Sequence, residues 1–284
     1  MTLKDFFHAA APAFFYILLS NILYSVLSMF ATASGIAVPK LAIQAVVLLI
    51  CLALFGKWAV QEGLFEWNWS GRLQNQGRPL KVGRGAAFRY PACFCYVVSA
   101  IMCSVCCNEA LLLSNFIERS PGYRHVSGLF YGNDMLLEVF TLCVLSPVVE
   151  EIVYRGFVYG RLQKKLDANR NGGVDGSANG VAAAALAALL FGVAHFNLVQ
   201  GIYAFLLGFL LGIFVWKMGG LYLAMAAHMA INLVSVIWTE TDWLDFIDQG
   251  GAGRMEAIGL SALLAFVFFG YGNRLAKRMK AQVG

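Results

Sequence analysis

The chain has 284 residues, of which 60% are hydrophobic and only 13% are charged, and its mean hydropathy is +0.68. Soluble domains carry about 25% charged residues, so this composition excludes an ordinary soluble protein and predicts an all-α polytopic membrane protein. The net charge of +5 indicates membrane topology through its distribution along the chain, and it does not indicate nucleic-acid binding.

Eight apolar segments predict a bundle of about eight transmembrane helices. They fall at about residues 10–33, 41–60, 90–114, 134–160, 181–197, 201–218, 220–238 and 256–272. A helix needs about 20 apolar residues to cross the hydrocarbon core, and most of the segments reach this length. The fifth segment is short, and the fourth is apolar only in its first half.

The basic residues predict how these spans are oriented. Eight spans place both termini, and the links after the even-numbered spans, on one side of the membrane. That side carries 16 of the 21 lysines and arginines, the other side carries four, and Arg155 lies within a span. Basic residues are in excess on the cytoplasmic side of membrane proteins. The sequence therefore predicts a multi-pass plasma-membrane protein, embedded in the lipid bilayer, with both termini in the cytoplasm.

Two links between the spans have distinctive compositions. The link at about 61–89 combines Trp67 and Trp69 with several basic residues, which is typical of an interfacial segment on anionic lipid. The loop at 167–178 matches the first half of a calcium-binding EF-hand loop, but its twelfth position is Ala178 where an acidic ligand is required. This favours a polar turn, with a weak calcium site as the alternative.

Small residues in the fifth and sixth spans predict close helix packing. Gly208 and Gly212 are spaced as GxxxG, Gly201 lies seven residues earlier, and an alanine-rich run covers residues 182–188. Small side chains at this spacing let two helix backbones approach each other in a membrane. The segments therefore indicate a tightly packed bundle.

Two adjacent glutamates, Glu150 and Glu151, follow an apolar run in the fourth span. An ionisable group in lipid costs about 2.5–3.5 kcal/mol on insertion scales, so such groups usually pair and serve a function. Glu151 and Arg155 are four residues apart and are predicted to pair on one helix face. Glu150 points about 100° away, while Pro147 disturbs the helix nearby. The alternative is a purely structural ion pair with Glu150 facing a polar crevice.

Three further polar side chains, His195, His228 and Asn232, lie in later apolar segments. Each alone is typical of a helix–helix hydrogen bond, but together they are expected to converge with Glu150 on an internal cavity. A buried glutamate beside a histidine can act as a general base on water, and a histidine with an amide can stabilise an oxyanion. This chemistry is amide hydrolysis. A zinc ion held by Glu150, His195 and His228 is the alternative.

Three short motifs occur in order on separate predicted spans: Glu150-Glu151-x-x-x-Arg155, Phe191-x-x-x-His195 and His228-x-x-x-Asn232. This set resembles the CPBP family of intramembrane proteases, which includes CAAX prenyl endopeptidases and bacterial proteins linked to bacteriocin self-immunity. The resemblance covers about residues 134–238, and no motif position departs from it.

The resemblance implies a role for each motif residue. Glu150 would activate water with the assistance of His195, and His228 and Asn232 would stabilise the oxyanion. Glu151 and Arg155, the predicted ion pair, would support the helix. The resemblance favours a reaction without a metal or other cofactor.

The chain is accordingly divided into three parts. Residues 1–133 form N-terminal transmembrane helices with an interfacial basic link, residues 134–238 form the CPBP-like catalytic helix bundle, and residues 239–284 form the last transmembrane helix and a basic tail. The predicted function is an intramembrane endopeptidase acting on a hydrophobic or lipidated peptide, with no nucleic-acid partner. The alternatives are a non-catalytic peptide-binding or immunity scaffold and a transporter that relays protons.

Overall fold

The fold of the protein is given by a computed structural model that describes residues 1–65, 86–117, 119–168, 176–241 and 250–283. Every regular element within these ranges is a helix. The helices are α1 (Leu3–Ala33), α2 (Lys40–Gln61), α3 (Ala86–Leu113), α4 (Pro121–Phe130), α5 (135–168), α6 (Gly176–Val193), α7 (Leu198–Met218), α8 (Leu221–Glu240) and α9 (Gly250–Val283). The predicted interfacial link, except for its two ends, and most of the predicted calcium loop at 167–178 lie outside the described residues.

The described helices confirm an all-α polytopic membrane protein. Six of them, α1, α2, α3, α7, α8 and α9, are long and apolar enough to cross a membrane. The two other predicted spans correspond to α5, whose apolar half is followed by a charged half, and to α6, whose apolar part Ala178–Val193 is shorter. The predicted number of eight spans is therefore approximate.

Helix α4 lies in the link before the fourth span, where no helix was predicted. The Ser120 hydroxyl accepts a hydrogen bond from the Tyr123 amide, and Pro121 occupies the first turn. Serine caps and first-turn prolines are helix-start signals. Gly122 and Gly128 weaken the helix propensity of its ten residues, which makes the helix hard to predict from composition.

Helices α6 and α7 pack through small residues, as the sequence predicted. A Cβ atom added at Gly212 would lie 2.8 Å from the Cβ of Ala184, and one added at Gly192 would lie 2.6 Å from the Gly201 carbonyl oxygen. Because backbone atoms form the contact between Gly192 and Gly201, no side chain can move to make room. This close approach fixes the end of α6, where His195 follows.

We expect Gly192→Ala to lower the free energy of unfolding by about 1–3 kcal/mol, since the added methyl group overpacks a backbone contact. The control is Gly259→Ala on α9, where a Cβ atom meets nothing within 4 Å. Alanine there should be neutral or stabilising by about 0.5–1 kcal/mol. Thermal unfolding in detergent measures both changes, and equal midpoints for the two variants would contradict the close packing.

Candidate active site

The glutamates lie on a short α-helical turn of α5, between two π-helical segments. Residues Val139–Leu145 and Ile152–Tyr159 are π-helical, and Ser146–Glu151 between them is α-helical. π-Helical turns are rare and occur mostly at functional sites. The wider turns change which side chains face the neighbouring helices, so the glutamates do not follow the spacing of an uninterrupted α-helix.

Asn232 compensates for a broken hydrogen bond in α5. The Ser146 amide donates to the Thr141 carbonyl, five residues back. In the same register the Leu142 carbonyl would pair with residue 147, but Pro147 has no N–H. The side-chain amide of Asn232 donates to this carbonyl instead, over 2.8 Å. Asn232 therefore fixes α8 to α5 close to the glutamates.

The structure contains the predicted ion pair and adds a histidine to it. Nη1 of Arg155 donates a hydrogen bond to Oε1 of Glu151 over 2.7 Å, and the two residues are 2% and 0% exposed, respectively. The same carboxylate oxygen lies 2.8 Å from Nδ1 of His228. Because this oxygen also accepts from Arg155, the contact is best satisfied when Nδ1 carries the hydrogen and donates it. Glu151 thus sets both the orientation and the tautomer of the His228 ring.

Glu150 has a different environment from its neighbour. Its Oε1 accepts a hydrogen bond from the Ser146 hydroxyl over 2.6 Å. Its Oε2 lies 3.8 Å from Nε2 of His228, which is too long for a direct hydrogen bond. The side chain is 16% exposed and lines a cavity of about 330 Å³. One oxygen of Glu150 is therefore fixed by the protein, while the other faces a site that a small molecule can reach.

Glu150 and His195 line the same cavity. Its described walls come from α1, α2, α4, α5, the end of α6 and the turn that follows α6, and they do not include His228 or Asn232. His195 lies in that turn, where its Nδ1 is 2.8 Å from the Phe191 carbonyl oxygen. If Nδ1 donates to this carbonyl, Nε2 is left without a hydrogen and can accept. The structure thus places Glu150 between the cavity and His228.

Phe191 is the common packing surface of the site. Its ring centroid is 4.9 Å from that of His195 and 6.0 Å from that of His228. The Arg155 guanidinium carbon lies 4.7 Å from the same centroid. A Cβ atom at Gly208 would lie 2.8 Å from an Arg155 nitrogen and 3.0 Å from the Phe191 ring. Gly208 therefore makes the room that this arrangement needs.

Two contributors to the site, Tyr154 and helix α1, were not predicted from the sequence. Tyr154 lines the cavity one turn beyond Glu150, is only 1% exposed, and its hydroxyl has no hydrogen-bond partner among the described residues. Its spacing of four residues from Glu150 could have indicated it. Helix α1 supplies Tyr16, Asn21 and other wall residues. No motif in α1 indicates this.

The zinc alternative requires Glu150, His195 and His228 to meet around one ion. Among the described residues, no three histidine, cysteine, aspartate or glutamate side chains are grouped to hold a metal ion. One ring nitrogen of His228 is bonded to Glu151 and the other faces Glu150, while His195 lies in the turn after α6. Glu150, His195 and His228 are therefore not grouped as three ligands of one ion in the part of the chain that the structure describes.

These features define a membrane-embedded bundle with an ionisable, histidine-containing site beside a cavity. Residues 132–234 match the family model described as type II CAAX prenyl endopeptidase Rce1-like. The match covers a little over a third of the 284 residues, supports the CPBP family of membrane proteases that the motifs indicated, and nearly coincides with the predicted 134–238. Comparisons with curated proteins and with solved structures give no match.

Proposed function

We propose that the protein is an intramembrane endopeptidase that hydrolyses a peptide bond of a hydrophobic or lipidated, membrane-associated peptide. The observation that carries this proposal is the environment of Glu150. Its carboxylate is anchored on one side by Ser146, faces His228 on another, and is open to a cavity that also contains His195. A carboxylate held in this way is suited to take a proton from a water molecule.

The reaction follows from these contacts. A water molecule in the cavity, hydrogen-bonded to Glu150 and to Nε2 of His195, attacks the carbonyl carbon of the peptide. Its proton passes to Glu150 as the carbon–oxygen bond forms. The tetrahedral intermediate then collapses, the carbon–nitrogen bond breaks, and Glu150 returns the proton to the leaving amine. His195 orients the water, and neither residue forms a covalent bond to the peptide.

The intermediate requires hydrogen-bond donors for its oxyanion. The resemblance assigns this role to His228 and Asn232, and Asn232 retains one amide hydrogen beyond the bond to the Leu142 carbonyl. Tyr154 is a further donor, because it lines the cavity with Glu150 and its hydroxyl has no hydrogen-bond partner in the described part of the chain. A buried hydroxyl without a partner costs about 1–3 kcal/mol, and a bound peptide carbonyl would remove that cost.

We expect Tyr154→Phe to reduce kcat by about 10²–10³-fold, which is the typical cost of removing one oxyanion donor. Thermal stability should be unchanged or higher, since the substitution removes an unpaired hydroxyl and keeps the ring. The matched variant is Tyr96→Phe, whose hydroxyl donates to Asn273 over 2.8 Å, away from the cavity. It should lose about 1 kcal/mol of stability and no activity. Full activity of Tyr154→Phe would contradict this role.

The function itself is tested with purified protein in liposomes that contain a mixture of hydrophobic peptides. Mass spectrometry should find new peptide termini that increase with time. Peptides that are bound and recovered intact would support the alternative, a non-catalytic peptide-binding or immunity scaffold.

A further inference from the structure

We infer that the peptide enters the site from the membrane face opposite the chain termini, which is the non-cytoplasmic face. The inference deepens the proposed function and rests on it. It names the substrate class as peptides whose scissile segment is presented at the outer side of the membrane. The observations that carry it are the contacts that define the two faces and the position of the cavity between them.

The first face contains the N-terminus and is called the terminal face. Asp5, at the start of α1, pairs with Lys165 near the end of α5 over 2.9 Å. Glu62, just after α2, pairs with Arg161 of α5 over the same distance. The start of α1 and the ends of α2 and α5 are therefore at one level.

The C-terminal part of α9 lies at the terminal face as well. The Tyr96 hydroxyl donates to Asn273 of α9, and the Tyr96 ring lies 4.9 Å from that of Phe214, close to the end of α7. The start of α6 also belongs to this face, because Asn179 donates to Asp167 near the end of α5 over 2.9 Å. Both termini are thus on one side of the bundle.

The opposite face is defined by a separate set of contacts. The Gly132 amide, before α5, donates to Glu240 at the end of α8 over 3.0 Å. Arg254, near the start of α9, pairs with Glu109 near the end of α3 over 3.2 Å. The turn between α6 and α7 is at this level too, since a Cβ atom at Gly122 of α4 would lie 3.2 Å from the Asn197 side chain.

The cavity opens at this opposite face. Its rim includes Lys40 at the start of α2, Asn21 in the second half of α1, Phe130 at the end of α4, and Phe196. Lys40, Asn21 and Phe196 are exposed, and Phe196 is 80% exposed. Glu150, in the middle of α5, lies further from this face than the rim residues do, and Tyr154 lies one turn beyond it. A peptide therefore reaches the carboxylate from the rim without passing the terminal face.

Phe196 gives the rim an apolar contact for the peptide. Its φ of +49° is in the left-handed region, which an aromatic residue seldom adopts. Such strain is usually retained at binding sites, where the surrounding structure enforces it. Here the next residue, Asn197, caps α7 by accepting from two backbone amides, and this cap fixes the turn.

The charge distribution relates the two faces to the cell. The terminal face carries the basic residues at the end of α5 and in the C-terminal part of α9, and the predicted 16-to-4 division of basic residues places it in the cytoplasm. The rim then faces outwards. A lipidated chain end displayed on the cytoplasmic side would meet the face away from the cavity.

Cysteine labelling in intact cells tests the direction of access. Phe196→Cys places a thiol at the rim, and Lys164→Cys places one at an exposed position of the terminal face. Asn21→Cys is a second rim variant, in case Phe196→Cys fails to fold. The protein has seven native cysteines, so labelling of the unsubstituted protein is the baseline. The probe is a membrane-impermeant maleimide.

We expect the rim variants to be labelled in intact cells and Lys164→Cys only after permeabilisation. Labelling of Lys164→Cys in intact cells, or of the rim variants only after permeabilisation, would overturn the inference. A bulky maleimide on Phe196→Cys should also slow cleavage at least tenfold. Unchanged cleavage by the fully labelled variant would overturn the access route alone. If the unsubstituted protein cleaves nothing, it is the proposed function that fails, whatever the labelling pattern.

Discussion

Replacing Glu150 with glutamine is expected to abolish peptide cleavage while the protein stays folded. A positioned general base contributes about 10²–10⁴-fold to a rate, and glutamine cannot accept the proton from water at neutral pH. Glutamine has the same size as glutamate. Its side-chain oxygen can also accept the hydrogen bond that the Ser146 hydroxyl donates to Glu150 over 2.6 Å. The loss should therefore appear in kcat, measured on a peptide that the unsubstituted protein cleaves in liposomes.

The matched control for this substitution is Glu256→Gln on α9. Glu256 is exposed, so its replacement removes the same charge without changing the cavity. Its kcat and thermal midpoint should equal those of the unsubstituted protein. More than a tenth of the activity remaining in Glu150→Gln would show that another group activates the water.

Arg155→Met should be among the most destabilising single substitutions in the protein. The guanidinium and the Glu151 carboxylate are almost completely buried, and the substitution leaves that carboxylate with His228 as its partner. Breaking a buried ion pair by removing one partner costs about 3–5 kcal/mol. Thermal unfolding in detergent should show a lower midpoint. Activity should fall too, because Glu151 holds the ring that faces Glu150.

A second arginine on the same helix provides the control. Arg161 pairs with Glu62 over 2.9 Å, but both side chains are partly exposed, so Arg161→Met should cost at most about 1 kcal/mol. The double variant Glu151→Gln with Arg155→Met should recover part of the stability, since no charge is then left unpaired. Equal destabilisation by the two arginine substitutions would contradict the importance of burial.

Local spacing explains which parts of the site the sequence predicted. Glu151 and Arg155 are neighbours on one helix, so their contact follows from a spacing of four residues. Glycines and alanines likewise predicted that these two segments pack closely within the bundle, because small side chains are visible in the sequence, and the structure shows that α6 and α7 pack on each other. Contacts of this kind require no knowledge of how distant helices are placed.

The missed features depend on distant segments or on backbone register. The bond between Glu151 and His228 joins residues 77 positions apart. The hydrogen bond from Asn232 to the Leu142 carbonyl depends on the π-helical register before Pro147. Hydrophobic periodicity does not reveal that register. The cavity wall formed by α1 follows from the packing of α1 against α5. The assignment of His228 and Asn232 to the oxyanion stays a prediction.

The most direct measurement compares cells that contain the native protein with cells that contain Glu150→Gln at the same level. Quantitative mass spectrometry of membrane-associated peptides from both should reveal fragments that disappear in the variant, with their intact precursors accumulating. Adding purified native protein to those precursors in liposomes should regenerate the same termini. If the two peptide profiles are identical, and the variant retains the biological activity of the native protein, Glu150 does not perform hydrolysis and the protein acts by binding.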